Sequence, residues 1–76
     1  MKETVLEILE EIREDIDFEN ETKLADDRLL SSLDIVTIVG KFNDEFDVEI
    51  SPKDLTADNF NSLDALEELI ERLQEA

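Results

Sequence analysis

Two adjacent hydroxyls, Ser31 and Ser32, precede Leu33 and Asp34 at the point where an apolar pattern of helical period begins. Either serine can cap such a helix, and Asp34 falls in its first turn, where a carboxylate suits the positive helix end. A second Ser-Leu-Asp triplet occurs at Ser62-Leu63-Asp64. It follows no long connection and reads as a cap. A third constellation is acidic: Asp15, Asp17, Glu19, Glu21 and Asp26 stand at positions 1, 3, 5, 7 and 12 of a calcium-loop spacing. The turn glycine of that motif is replaced by Asn20, and its final bidentate glutamate by Asp26, so a specific metal site is not expected. The chain has no Cys and no His. Thiol catalysis, thiolate or imidazole zinc sites and imidazole acid–base chemistry are thereby excluded.

The elements that must position these residues follow from the apolar spacing. Val5, Ile8, Leu9, Ile12 and Ile16 predict a first helix over about residues 2–16, with Glu3, Glu7, Glu10, Glu11 and Glu14 on its opposite face. Arg13 can pair only weakly with Glu10 and Glu14 along that face. Residues 17–31 lose the period. Phe18, Leu24, Leu29 and Leu30 are expected to pin this long connection to the core. Ile35, Ile38, Val39, Phe42 and Phe46 predict a second helix from Ser31 or Ser32 to about Asp47, with Gly40 inside it. Ser51-Pro52 reads as a cap and first position of a short turn over Pro52–Leu55. Another short turn is expected at Ala57–Phe60, and a last helix over about 62–74 carries Leu63, Leu66, Leu69, Ile70 and Leu73. The expected fold is an all-α bundle of three principal helices plus one or two short ones, with a long loop between the first two. The whole of residues 1–76 is expected to form one domain.

Charge narrows the partners. The chain has 7 basic and 23 acidic side chains, a formal charge of −16 and a pI near 4.1. The acids are spread along the chain without a detached tail. Such a surface repels phosphate backbones and anionic lipid, so neither nucleic acid nor a membrane surface is an expected partner. No apolar run reaches the length of a membrane span, and Met1-Lys2-Glu3 opens no signal peptide. A cytoplasmic monomer is expected.

The stretch Asp26-Asp27-Arg28-Leu29-Leu30-Ser31-Ser32-Leu33-Asp34 resembles the acyl carrier protein family, in which an Asp-Ser-Leu signature opens the second helix after a long loop. Ser32-Leu33-Asp34 matches the serine, the leucine and the usual following acid. Asp44-Glu45-Phe46-Asp47-Val48-Glu49-Ile50 is similar to the acidic end of that helix. Ser51-Pro52-Lys53-Asp54-Leu55 and Asn59-Phe60-Asn61-Ser62-Leu63 resemble the approach to the final helix. The resemblance implies a noncatalytic carrier. Ser32 is then the residue esterified by a 4′-phosphopantetheine arm, which a phosphopantetheinyl transferase takes from coenzyme A. The arm's thiol holds acyl or aminoacyl groups as thioesters for fatty acid, polyketide or related biosynthesis. The Ser51-Pro52 region and the phenylalanine-containing approach to the last helix resemble a specialised carrier such as the D-alanyl type.

The resemblance also implies docking of acyl-activating or acyl-transferring enzymes, through basic patches, on the second helix at Leu33, Asp34, Val36, Thr37, Gly40, Lys41 and Asp44. Ile38, Val39, Phe42 and Leu66 are candidates to line a space for an acyl chain. Two departures stand out: Ser31 replaces the family's aspartate, and Thr37 and Lys41 replace acidic or small residues. The alternatives are a cofactor-free acidic adaptor for basic protein surfaces and, less favoured, a calcium-binding helical protein.

Overall fold

The computed structural model describes residues 1–75. Four α-helices and one 3₁₀ turn follow in order: α1 (Lys2–Ile12), α2 (Ser32–Phe46), the 3₁₀ turn Pro52–Asp54, α3 (Ala57–Phe60) and α4 (Leu63–Glu75). The fold is all-helical, with no strand among the described residues, as the apolar periodicity predicts. Helix α1 packs against α2 and α4, and the short α3 packs against α4.

The stripes meet in one apolar core. Val5 and Leu9 from α1, Ile38 and Phe42 from α2, Phe60 from α3, and Leu66, Leu69 and Ile70 from α4 are buried. Phe18, Leu24 and Leu30 join them from the long connection. The Phe42 and Phe46 rings meet edge to face with centroids 5.7 Å apart, a favoured aromatic geometry. No polar side chain is buried among the described residues. The core is held by apolar burial rather than by interior ion pairs.

Helix α1 stops four residues before the end its spacing predicts. Arg13 is extended (φ −140°, ψ 106°), and its N–H closes the last turn on the Leu9 carbonyl. Ile16 continues the apolar spacing but reaches the core from a turn, half-buried. Arg13 therefore lies beyond the helix surface, and its pairing with Glu10 or Glu14 is replaced by contacts described below.

The connection from 13 to 31 is ordered by more than its apolar side chains. Asn61, just before α4, accepts the Leu24 N–H through its carbonyl at 2.9 Å. Its side-chain Oδ1 accepts the Ala25 and Asp26 N–H groups at 3.1 and 3.0 Å, and its Nδ2 donates to Asp26. One asparagine thus supplies the connection with the backbone partners that a loop packed on a core otherwise lacks. Arg28 bends the chain in the left-handed region (φ 57°) just before Leu29 and Leu30 turn in toward α2. At the far end, Ser62 Oγ accepts the Ala65 N–H at 3.0 Å. That is the capping role its triplet suggests.

Candidate functional site

The start of α2 separates its two serines. Ser31 is the N-cap: its Oγ accepts the Asp34 N–H at 3.1 Å, while its own N–H donates to Asp34 Oδ2 at 3.0 Å. This reciprocal pair is a capping box. Ser32 is the first helical residue, is exposed, and its hydroxyl makes no hydrogen bond among the described residues. The capping role that suits either serine belongs to Ser31 alone. Ser31 also stands where the family has aspartate, and serine and aspartate are both preferred at N-caps. The replacement therefore keeps the helix start intact.

Asp34 faces inward from this turn. Arg13 Nη1 donates to Asp34 Oδ2 at 2.7 Å and to the Leu29 carbonyl at 3.2 Å. Its Nε and Nη2 hold both oxygens of Asp15 at 2.9 and 2.8 Å. The Ser31 backbone N–H, assisted by Arg13, holds the Asp34 carboxyl below the usual carboxylate range against a partial desolvation that opposes it. The Arg13 guanidinium, through its hydrogen bonds to Asp15 and Asp34, is held more firmly protonated than usual. Asp34 is expected from the sequence as a docking residue. In the structure its side chain is 15% exposed and committed to Ser31 and Arg13.

The other expected docking residues divide over the helix. Leu33 and Val36 are 74% and 65% exposed, large apolar side chains standing in solvent rather than in the core. Gly40 is exposed on the same side, and a Cβ placed there meets no atom within 4 Å. The Thr37 hydroxyl turns back to donate to the Leu33 carbonyl at 2.9 Å. Lys41 and Asp44 are exposed and line a groove against α1 with Thr4, Glu7, Ile8, Glu11 and Glu45. Of the residues considered for an acyl-lined space, Ile38, Phe42 and Leu66 are fully buried and Val39 is half-buried.

Four of the five acids of the calcium-like spacing are engaged elsewhere. Asp15 is taken by Arg13, Asp17 accepts from Asn20, Glu21 accepts the Thr22 and Lys23 N–H groups, and Asp26 accepts from Asn61. No group of three or more acidic, His or Cys side chains is arranged to hold a metal ion among the described residues.

Chemically, Ser32 offers a free hydroxyl without a base of its own. The Ser32 and Leu33 N–H groups have no acceptor among the described residues. They lie at the positive end of a helix, where an anion is favoured. A phosphate esterified at this hydroxyl fits those donors. What the sequence leaves unassigned here are the distant partners of Arg13, expected only to pair weakly along its own helix, and of Asn61, which with Ser62 is a candidate cap of the last helix. No local pattern announces either. The cap itself had a readable signal, since Ser31 and Asp34 have the three-residue spacing of a capping box.

No curated protein and no solved structure gives a significant match to this chain. The family described as "Phosphopantetheine attachment site" matches residues 2–70. Domains of this family receive a covalent 4′-phosphopantetheine group, which when bound supplies a thiol on a long flexible tether, and they serve partner enzymes. With that match spanning both the helices and the exposed serine at the start of α2, the chain belongs to the phosphopantetheine attachment site family.

Proposed function

We propose that Ser32 is the attachment residue and that the protein is a noncatalytic acyl carrier. The observation that supports this most directly is the division of labour between the serines. Ser31 takes the cap, and Ser32 presents an unengaged hydroxyl beside two free N–H groups. In the transfer from coenzyme A, Ser32 Oγ forms a bond to the phosphorus nearest the pantetheine. The bond from that phosphorus to the adenosine-bisphosphate side breaks. The hydroxyl proton passes to a base on the transferase, because no side chain among the described residues accepts from the Ser32 hydroxyl.

The exposed side of α2 is the proposed docking face. Leu33 and Val36 provide its apolar centre, and Gly40 lets a partner approach closely. Thr37, Lys41 and Asp44 form the polar border, while Asp34 acts from behind as a structural acid. The negative field of a −16 chain steers basic patches on the phosphopantetheinyl transferase and on acyl-activating or acyl-transferring enzymes. The cargo is an acyl or aminoacyl thioester in fatty acid, polyketide or related biosynthesis, and the carrier is a cytoplasmic monomer. No helix of the described residues is long and apolar enough to cross a membrane.

Intact-mass measurement after incubation with coenzyme A and a phosphopantetheinyl transferase tests the assignment. The expected result is a single phosphopantetheine adduct on the wild type and on Ser31→Ala, and none on Ser32→Ala. An adduct that persists on Ser32→Ala refutes the residue. Absence of any adduct with several transferases favours the cofactor-free acidic adaptor.

A further inference from the structure

A phosphate attached at Ser32 brings negative charge into a turn that already contains Asp34, within a chain of formal charge −16. Like charges so close repel, and the positive helix end offsets only part of that repulsion. Arg13 lies behind the same turn. One guanidinium reaches Asp34, the Leu29 carbonyl near the end of the long connection, and both oxygens of Asp15. The Arg13 and Asp34 side chains are 32% and 15% exposed, so salt screens this pair less than it screens fully exposed charges. The fork shape of the guanidinium is what allows it to serve separate acceptors at once.

We infer that Arg13 is a positioning residue for the acceptor serine: it offsets the Asp34 charge in the turn that receives the phosphate and fixes the start of α2 against the end of the long connection. The inference rests on the assignment of Ser32 as acceptor. Arg13 makes its hydrogen bonds to Asp15, Leu29 and Asp34 rather than to Ser32, and acts through them.

The test uses wild type, Arg13→Gln, Arg13→Lys, Asp34→Asn and the Arg13→Gln/Asp34→Asn double variant, each in the form without the arm. Initial rates of adduct formation with coenzyme A and a transferase are read by intact mass at low and high salt, with folding checked by circular dichroism. Glutamine keeps most of the stem and removes the charge; lysine keeps the charge and loses the fork. Arg13→Gln is expected to slow modification roughly fivefold at low salt, the order of effect of the Asp34 charge, left without its partner, on a phosphate in the same turn screened by water. The deficit narrows at high salt, largely vanishes in the Asp34→Asn background, and is mostly rescued in Arg13→Lys. Amide exchange at Leu33–Ile35 reads the fixing of the helix start without any transferase: faster in Arg13→Gln and closer to wild type in Arg13→Lys.

A wild-type rate and unchanged exchange in Arg13→Gln overturn the inference while wild-type modification leaves the Ser32 assignment standing. A deficit equal at both salts and in both Asp34 backgrounds reduces Arg13 to a purely structural part and also overturns it. If wild type takes up no arm, or Ser32→Ala still does, the assignment of Ser32 fails first and the inference falls with it.

Discussion

Gly40→Ala separates what the fold needs at this position from what a partner needs. Gly40 lies in the interior of α2, with helical backbone and with open space where a Cβ would go. Alanine there meets no obstacle, so the change in stability reduces to the helix propensity difference. That difference is about 0.5–1 kcal/mol in favour of alanine. For a domain of this size, 1 kcal/mol corresponds to a rise in Tm of roughly 4–8 °C. With a urea slope of about 1 kcal/mol/M, expected for a small chain, the midpoint moves up by about 0.5–1 M. The assay is urea unfolding followed by far-ultraviolet circular dichroism, with thermal melts as the second measure and an unchanged slope required of both proteins. In the proposed docking role, the stabilised variant is nevertheless slower in acyl loading by its partner enzyme, because the added methyl blocks close approach. A midpoint that stays in place or falls refutes the reasoning about the fold. A stabilised variant loaded at the wild-type rate refutes the reasoning about the contact.

The remaining expectations concern the caps, the clamp and the charges. Ser31→Ala removes the hydroxyl that accepts the Asp34 N–H and lowers stability by about 1 kcal/mol, whereas Ser31→Asp retains a cap and stays near wild type; urea midpoints distinguish them. Asn61→Ala removes three side-chain hydrogen bonds to the long connection and is expected to cost roughly 1.5–4 kcal/mol, with amide exchange accelerated at Ala25 and Asp26. Asp15, Asp34 and Asp54 are held below their ordinary range, first by Arg13, by the Ser31 N–H and by the Ser51 N–H respectively. Each binds its proton more weakly when folded, so its contribution is complete above about pH 3.9 and is lost as pH falls through the lower folded values. Urea midpoints measured from neutral pH down to about pH 2 should show that loss. At neutral pH the midpoint should rise with salt, since screening relieves repulsion among the exposed acids.

What the sequence made legible was what local spacing encodes. The stripes of α2 and α4 and the two short turns after Ser51 stand close to where periodicity and capping residues place them. The end of α1 was not legible, because Ile16 keeps the helical spacing while reaching the core from a turn. Ser31 and Ser32 are both hydroxyls at a helix boundary; the three-residue spacing from Ser31 to Asp34 was a readable signal for the cap, and the box closed between them assigns it to Ser31. Exposure at Leu33 and Val36 also needed three dimensions, since apolar side chains flanking a buried stripe do not announce which side of its edge they occupy. Arg13 and Asn61 were hidden most completely. Their partners lie 21 and 35 residues away, and such pairs are set by how the connection folds back rather than by any short pattern.

With Ser32 as the proposed acceptor, the split between neighbouring serines keeps the cap hydroxyl out of the loading step. On that assignment the hydroxyl that anchors the helix is not the one consumed, and the hydrogen bonds between Ser31 and Asp34 need not open when a tether is added or removed. In the proposed role, a shuttle built this way can be charged, emptied and recharged while the fastening at the start of its second helix stays closed.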